Sequence, residues 1–212
     1  MKEKNFRLSV ILLAAGDSRR FNGNKMLAEV EGEPMYLHML KNILDISASK
    51  KVLVTQYREI IDFLSDSVYG NTISVVRNDY SERGISYSIR LGIMSCKEAP
   101  EEEHEKEAPR EAYLFAVCDQ PWLTRESIGK LIAAFADSEK RIACLSYQGS
   151  LGNPVIFDGY YRDELLSLSG DTGGKAVIRR HLDDVELVEV NDSRELSDID
   201  TKQEYESGKA GK

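Results

Sequence analysis

Cysteine is scarce in this chain, and its three cysteines form no recognisable pattern. Cys96, Cys118 and Cys144 are odd in number among 212 residues and lie far apart, without a Cys-x-x-Cys pair. Disulfide frameworks and cysteine zinc sites need even numbers or closely spaced pairs, so the sequence argues against both. Isolated thiols of this kind are typical of a reducing compartment. We therefore expect buried, free cysteines in a cytoplasmic protein.

The chain also lacks long hydrophobic runs and an excess of positive charge. No apolar run approaches the ~18 residues that a membrane-spanning helix needs, and the start of the chain carries no signal-peptide pattern. The formal net charge is −8, whereas surfaces that bind nucleic acids or anionic membranes are basic. We expect no nucleic-acid partner and no membrane attachment. A phosphate ligand stays compatible with this composition, because a few local basic residues suffice to bind it.

The sequence does contain a regular alternation of apolar, strand-like runs with helical segments. This alternation predicts an α/β fold with a doubly wound, mostly parallel sheet and helices on both faces. The length suits a single domain over residues 1–212. A charged stretch with two prolines, residues 96–111, is expected to be an exposed loop, and residues 207–212 a flexible tail.

The loop after the first predicted strand has the composition of a phosphate site. The apolar run of residues 8–14 breaks into small residues at Gly16, and Arg19, Arg20 and Lys25 follow within nine residues. Small residues let the backbone approach a ligand closely, and basic side chains hold anionic oxygens. The loop has neither the ending of a Walker motif nor a Gly-x-Gly-x-x-Gly turn. A basic, solvated surface loop is the alternative that composition leaves open.

The order of residues in this loop resembles a family signature. The segment Leu13-Ala14-Ala15-Gly16-x-Ser18-x-Arg20-Phe21-x-x-x-Lys25 is similar to the pattern L-A-A-G-x-S-x-R-M/F-G-x-x-K of the MobA-like nucleotidyltransferases, which make molybdenum-cofactor dinucleotides. Asn22 stands where that pattern has glycine, and asparagine tolerates the left-handed backbone. The resemblance implies that Arg20 and Lys25 are catalytic. It implies nucleotide binding by Leu13, Ala14, Ala15, Gly16, Asp17, Ser18, Arg20 and Lys25.

A stretch after the third predicted strand is similar to a second motif of the same family. Asn78, Gly84 and Ser88 match the spacing of N-x-x-x-x-x-G-M-x-x-S-L-x-x-G, although isoleucines replace the usual Met and Leu. The resemblance implies that Asn78 and Ser88 bind the nucleotide, since hydroxyls at a helix start can serve a ribose or phosphate. Serines that merely cap the helix are the alternative.

An acidic residue follows the fourth predicted strand, where this fold class places its chemistry. Cys118-Asp119-Gln120-Pro121 resembles the metal-binding segment of the family, and a carboxylate there can coordinate Mg²⁺. Asp119 could instead cap the next helix, but Thr124 is better placed for that role. Near the end of the chain, Asp198-Ile199-Asp200-Thr201 matches the family's D-I-D-T segment. The resemblance implies that Asp119 and Asp200 bind Mg²⁺, with Asp198 as the alternative second ligand.

Two later segments carry the resemblance towards the acceptor substrate. Pro154 and Val155 match the family's G-x-P-V-x-F segment, and residues 170–175 resemble the G-D-x-G-A/G-R segment of its cofactor-specific branch. Lys175 stands where arginine is usual. The resemblance implies that the acceptor is bound by Gln120, Asn153, Asp171 and Lys175.

The whole resemblance implies a Rossmann-like, GT-A-like domain with about seven strands, one of them antiparallel. The implied reaction is Mg²⁺-dependent nucleotidyl transfer with release of pyrophosphate. Ala15 replaces a glycine of guanylyl-transferring relatives, and its methyl group should disfavour a purine, so CTP is the expected donor. The expected acceptor is molybdopterin-type molybdenum cofactor, and a molybdenum hydroxylase is a candidate partner. Transfer to a sugar or polyol phosphate, and a non-catalytic cofactor chaperone for such a hydroxylase, remain alternatives.

Overall fold

The described chain forms nine strands, seven of which build one sheet. The computed structural model describes residues 6–18, 21, 23–96 and 109–205. The strands are β1 (Phe6–Ala14), β2 (Glu29–Val30), β3 (Glu33–Pro34), β4 (Lys50–Thr55), β5 (Ser74–Arg77), β6 (Arg110–Val117), β7 (Ile142–Tyr147), β8 (Ser150–Asp158) and β9 (Val185–Glu189). Their order in the main sheet is β5-β4-β1-β6-β8-β7-β9, and β2 pairs with β3 in a separate hairpin.

The sheet is parallel except for one strand. β8 runs antiparallel to both β6 and β7, whereas the pairs β1·β4, β1·β6, β4·β5 and β7·β9 are parallel. Parallel neighbours need long crossover connections, and the helices supply them. The α-helices are α1 (Met35–Leu44), α2 (Arg58–Asp66), α3 (Ile85–Ser95), α4 (Arg125–Asp137), α5 (Arg162–Ser167) and α6 (Lys175–Arg180). The seven-stranded, mostly parallel sheet predicted from the sequence is confirmed.

The apolar run of β1 is buried on both faces, as its composition predicts. Val10 and Leu12 pack with the apolar side chains of α1, α2 and α4 on one face. Ile11 packs with those of α3, α5 and α6 on the other. Helix α3 approaches β1 so closely that a Cβ atom at Gly92 would lie 2.4 Å from Cγ2 of Ile11. Strand β1 is thus held firmly between the two helix layers, and its carboxyl end is a rigid base for the loop that follows.

The structure corrects two details of the sequence interpretation. Arg110 and Glu111 open strand β6, and Cys96 is buried where it caps α3, so the proposed loop 96–111 is too wide at both ends. Its residues 97–108, like residues 206–212 at the tail, lie outside the described residues. A proline favours a strand start, so the sequence predicts a strand over residues 154–157. Strand β8 instead starts at Ser150, and Pro154 lies inside it. The strand tolerates a residue without an N–H there because pairing with β6 stops at Val155 and the register with β7 shifts.

The cysteines behave as expected from their isolation. All three are free and buried, and burial raises the pKa of the Cys96 and Cys144 thiols to about 11. No helix in the described part of the chain is both long and apolar enough to cross a membrane.

Candidate active site

The two segments that carry the main motifs leave the sheet side by side. β1 and β6 are parallel neighbours, and Leu13 pairs with Val117 near the end of both strands. The amide of Cys118 then donates to the carbonyl of Leu13 over 3.1 Å. Because parallel strands end at the same edge, the loop after Ala14 and the segment containing Asp119 face a common space.

Lys25 lies between the carboxylates of Asp119 and Asp200. Its Nζ atom is 2.7 Å from Oδ2 of Asp119 and 2.8 Å from Oδ1 of Asp200. The lysine side chain is only 8% exposed. Burial alone would lower the pKa of Lys25, but the charges and hydrogen bonds of the two carboxylates outweigh it and raise the pKa. Lys25 is therefore a fixed cation at neutral pH.

Local structure brings these three side chains together from distant parts of the chain. Lys25 opens a 3₁₀ turn, Lys25–Leu27, which is capped by the Asn24 side chain accepting from the amide of Met26. The amide of Ile199 donates to the carbonyl of Asp119 over 3.0 Å. This bond ties the segment before Asp200 to the end of β6, and so places the two carboxylates next to each other.

The carboxylate pair has the donor chemistry of a Mg²⁺ site. Oδ1 of Asp119 is buried and has no hydrogen-bond partner among the described residues, and a bound cation would satisfy it. In the described ranges no group of three or more His, Cys, Asp and Glu side chains is arranged for a metal. Mg²⁺, however, commonly takes one or two carboxylates and completes its shell with phosphate and water. Asp119 and Asp200 fit a divalent cation that binds together with a nucleotide.

A first cavity of about 410 Å³ lies above this ion pair. Its wall includes Leu13, residues 15–18 and Ser88, while Lys25, Asp119 and Asp200 line the charged part. The structure thus brings together in one cavity nearly all of the residues that the resemblance assigned to nucleotide and metal.

Two described residues of that assignment, Ala14 and Asn78, do not line the first cavity. Ala14 is buried in the core on the face of α1. Asn78 is buried behind the wall, where its Nδ2 donates to Oγ of Ser88 over 3.0 Å and its Oδ1 accepts from the amide of Tyr80. Asn78 therefore positions Ser88. Arg20 lies outside the described residues, so its catalytic role stays a prediction.

A second cavity, of about 430 Å³, adjoins the first. The two share Leu13, Ile85, Val117 and Asp171 in their walls. Of the residues assigned to the acceptor, Asn153, Asp171 and Lys175 line the second cavity. Its remaining wall is largely apolar and includes Ile89, Phe115, Val155, Phe157 and Leu165.

Gln120, the fourth residue assigned to the acceptor, lines neither cavity. It is buried, and its Nε2 donates to the carbonyl of Leu196 over 3.1 Å and to Oδ1 of Asp198 over 2.8 Å. Gln120 thus anchors the segment that carries the aspartates. Asp198 is committed to that contact, whereas Asp200 shares Lys25 with Asp119.

Comparison with known proteins assigns the family. The sequence profile described as the MobA-like NTP transferase domain matches residues 10–185, which is most of the chain. The chain belongs to the MobA-like NTP transferase family. This result confirms the resemblance read from the loop motif and places the protein among the nucleotidyltransferases.

Individual relatives extend over almost the whole MobA-like chain. The purine catabolism protein PucB of Bacillus subtilis is 25% identical over 205 residues, covering 92% of this chain and 93% of its own. The manganese complex of Rv0371c from Mycobacterium tuberculosis superimposes with a TM-score of 0.74 at 16% identity, covering 97% and 100% of the two chains. The 4-diphosphocytidyl-2C-methyl-D-erythritol synthase of Anaerococcus prevotii gives 0.71 at 15% identity, covering 97% and 96%. The two structures establish the shared fold.

Two features of this MobA-like site escape the sequence motifs. Arg179 lies one helical turn beyond Lys175 on α6 and lines the second cavity. The i, i+4 spacing of two basic residues was the available signal. The second feature is a close contact of Gly84 with Gly170 and the wall residue Asp171, where a Cβ atom at Gly84 would lie 2.4 Å from the carbonyl of Gly170 and 2.6 Å from Oδ1 of Asp171. Gly84 also has a φ of +81°, so glycine is needed there on both counts.

Proposed function

We propose that this protein is a Mg²⁺-dependent cytidylyltransferase that moves CMP from CTP to the phosphate of a molybdopterin-type molybdenum cofactor. An oxygen of the acceptor phosphate forms a bond to the α-phosphorus of the nucleotide, and pyrophosphate leaves with the bridging oxygen. The observation that carries the proposal is the junction of the two cavities. A donor bound over Lys25 and an acceptor bound in the second cavity would meet at their shared wall.

The charged part of the first cavity supports the role of the metal. Asp119 and Asp200 are the residues that would hold Mg²⁺. Bound Mg²⁺ supplies positive charge that offsets the charge developing on the phosphoryl oxygens. Lys25 is held as a buried cation beside the same carboxylates, and it can stabilise the α-phosphoryl group without any proton transfer. Arg20 would act on the departing pyrophosphate.

The first cavity also supports a pyrimidine donor. Ala15 is 6% exposed and lines the cavity, so its methyl group takes up space that a glycine would leave to a larger base. One methyl group is worth ~1–3 kcal/mol of discrimination. We expect CTP to be preferred over GTP by at least about tenfold, and Ala15→Gly to narrow that gap. The solved relative whose name contains diphosphocytidyl is consistent with a cytidine nucleotide on this fold.

The second cavity supports a large, partly apolar and anionic acceptor. Phe115 and Phe157 contribute to a mostly apolar wall that suits a ring system. Lys175 and Arg179 make no ion pair within the described ranges, and both stand at this wall. A molybdenum-loaded pterin monophosphate has both properties. Its product would pass to a molybdenum hydroxylase.

A sugar or polyol phosphate is the second candidate acceptor, and one observation favours it. The Anaerococcus relative is named as a synthase of a methyl-erythritol compound, and it shares the fold over nearly the whole chain. Polyols need many hydrogen-bonding groups, however, and the second cavity has mostly apolar walls. A chaperone without catalysis would not need the ion pair of Lys25 with Asp119 and Asp200.

One experiment separates these acceptors. The protein is incubated with Mg²⁺ and each of the four ribonucleoside triphosphates, first with molybdenum cofactor and then with sugar and polyol phosphates, and the products are analysed by mass. We expect a cytosine dinucleotide of the cofactor and an equal amount of pyrophosphate. A preference for GTP would refute the cytidylyl assignment, and turnover only with a polyol phosphate would refute the cofactor assignment. Cofactor binding without pyrophosphate release would show a chaperone.

A further inference from the structure

The carbonyl groups of the nucleotide loop are held by the end of the neighbouring strand. Thr55 Oγ1 donates to the carbonyl of Ala14 over 3.0 Å, and Gln56 Nε2 donates to that of Ala15 over 3.0 Å. The Tyr57 hydroxyl donates to the carbonyl of Gly16. Three consecutive side chains therefore fix three consecutive peptide groups. The register that pairs Ala14 with Thr55 makes this possible.

Gln56 does more than hold one carbonyl. Its Nε2 is also 3.2 Å from Oδ1 of Asp17, and its Oε1 accepts from the Ser81 hydroxyl over 3.0 Å. The Ser81 hydroxyl lies 2.8 Å from Oδ1 of Asp17 as well. Asp17 and Ser81 both line the first cavity, and they belong to segments that follow different strands. Gln56 thus joins two walls of the cavity.

The hydrogen bonds from residues 55–57 use the carbonyl groups of the loop and leave its backbone N–H groups for a ligand. The backbone N–H of Gly16, which shares a peptide plane with the carbonyl held by Gln56, donates to no other group in the described part of the chain. Peptide groups are rigid planes, so holding a carbonyl also fixes the direction of the N–H on the following residue. A loop with its carbonyls fixed keeps its amides oriented for a ligand. This arrangement is preorganisation, in which the protein orders its donors before the ligand arrives.

We infer that Gln56 is a positioning residue that orders the nucleotide loop and holds it against the segment of Ser81. This inference rests on the proposed function for its ligand, a nucleoside triphosphate. Gln56 then contributes to the preference for a small base, because a loop held against the segment of Ser81 cannot move outward to admit a larger one.

Two variants test the inference, with a matched control. Gln56→Leu removes all polar contacts of the side chain at similar volume. Gln56→Glu keeps an acceptor for Ser81 but removes the hydrogen bonds that Gln56 donates to Ala15 and Asp17. Gln148→Leu makes the first change in an exposed glutamine that lines neither cavity. Binding of CTP and GTP is measured by calorimetry in Mg²⁺, and backbone order by ¹⁵N relaxation in ligand-free protein.

We expect both Gln56 variants to bind CTP about tenfold more weakly, with a smaller loss for GTP, so that the preference for CTP shrinks. The order parameters of Gly16 to Ser18 should fall from the rigid value of about 0.85 towards 0.6, while the rest of the sheet is unchanged. The control should behave as wild type in both measurements. Unchanged order parameters in Gln56→Leu would overturn the inference, as would unchanged affinities for both nucleotides.

Failure of the proposed function gives a different result. If wild-type protein binds no nucleotide, the proposed function fails, but loss of loop order in Gln56→Leu and Gln56→Glu still supports the positioning role. If wild-type protein binds CTP and the Gln56 variants match it in order and affinity, the positioning role fails and the proposed function stands.

Discussion

The two cavities are lined by different kinds of side chain, although they share a wall. The first lies where parallel strands end, and its chemistry comes from a buried cation between two carboxylates. The second is enclosed by α5, α6 and strand β8, with mostly apolar walls and two cations on α6. The first suits charge neutralisation during phosphoryl transfer, and the second suits recognition of a large acceptor. Substitutions in the first should therefore change rate, and those in the second should change acceptor affinity or local stability.

The largest effect is expected at Asp119 in the first cavity. Asp119→Asn should lower kcat by about a thousandfold, because loss of metal-dependent charge neutralisation costs several kcal/mol of barrier. The fold should stay stable, since the carboxylate lies at the sheet edge and not in the core. The measurement is pyrophosphate release with CTP and cofactor. Asp198→Asn is the matched variant and should cost far less, and activity of Asp119→Asn within about tenfold of wild type would remove this residue from the mechanism.

The next effect is expected at Lys25. Lys25→Met should lower kcat by about a hundredfold and raise the KM for CTP much less, because the ammonium acts on charge that develops in the transition state. The variant also removes the ion pairs that Lys25 makes with Asp119 and Asp200. Its melting temperature should therefore respond to EDTA and Mn²⁺ more strongly than that of wild type. Lys41→Met, which removes an exposed lysine paired with Glu33, is the control. An effect on KM alone would reduce Lys25 to a binding residue.

In the second cavity, Arg179 should govern affinity for the acceptor. Arg179→Ala should raise the KM for the acceptor by about tenfold, the value of one charge-assisted hydrogen bond, and leave the KM for CTP unchanged. Steady-state kinetics with each substrate varied in turn provides the measurement. Arg58→Ala is the control, since Arg58 is an exposed arginine on α2 that pairs with Asp62 and lines neither cavity. If Arg179→Ala weakened CTP binding instead, the division of labour between the cavities would be wrong.

The smallest effect concerns the support of the second cavity. Glu164 on α5 accepts hydrogen bonds from Arg180, the last residue of α6, and from His181, which follows it. The two distances are 2.9 and 2.8 Å. Burial alone would raise the pKa of Glu164, but these two hydrogen bonds and the charges of Arg180 and His181 outweigh it and lower the pKa from its ordinary value. A carboxylate whose pKa is lower in the folded than in the unfolded protein stabilises the fold at any pH above its unfolded-state pKa. This stabilisation is lost as the pH falls through its folded-state pKa.

Glu164→Gln should therefore destabilise the protein by about 1 kcal/mol at pH 6, and the difference from wild type should be lost in acid as the pH falls through the lowered pKa of folded Glu164. Urea unfolding at several pH values measures it. Glu126→Gln, in the exposed pair with Lys130, is the control and should change little. A difference that persists unchanged at low pH would show that the carboxylate charge is not involved.

Much of the fold could be predicted from the sequence because its signals are local. Apolar residues at helical spacing after Pro34 predict a helix over residues 35–44, and α1 has these bounds. The short apolar run of residues 142–147 predicts a strand, and β7 has these bounds. The β2–β3 hairpin was missed because strands of two residues have no periodicity to detect. The start of β8 was missed because a proline usually marks the start of a strand. Only the pairing with β6 and β7 shows that the missing N–H of Pro154 is tolerated inside the strand.

The site divides in the same way. Motifs at strand ends predicted the loop and Asp119, because a parallel sheet must bring its carboxyl ends to one edge. Ala14 and Asn78 have the motif spacing, but only the packed structure shows that one faces the core and the other supports Ser88. The bracing of the loop by Gln56 has no sequence signal, because it depends on which strand lies beside β1.

The sequence by itself determined that this is an α/β nucleotidyltransferase of the MobA-like family, since apolar periodicity and short motifs act over a few residues at a time. The tertiary structure decided the contacts. Lys25 and Asp200 are 175 residues apart in the chain and 2.8 Å apart in space. Gly84 in the wall of the first cavity packs against Asp171, which lines both cavities. Such contacts follow from strand order, register and crossover packing, which are properties of the whole fold and not of any single segment.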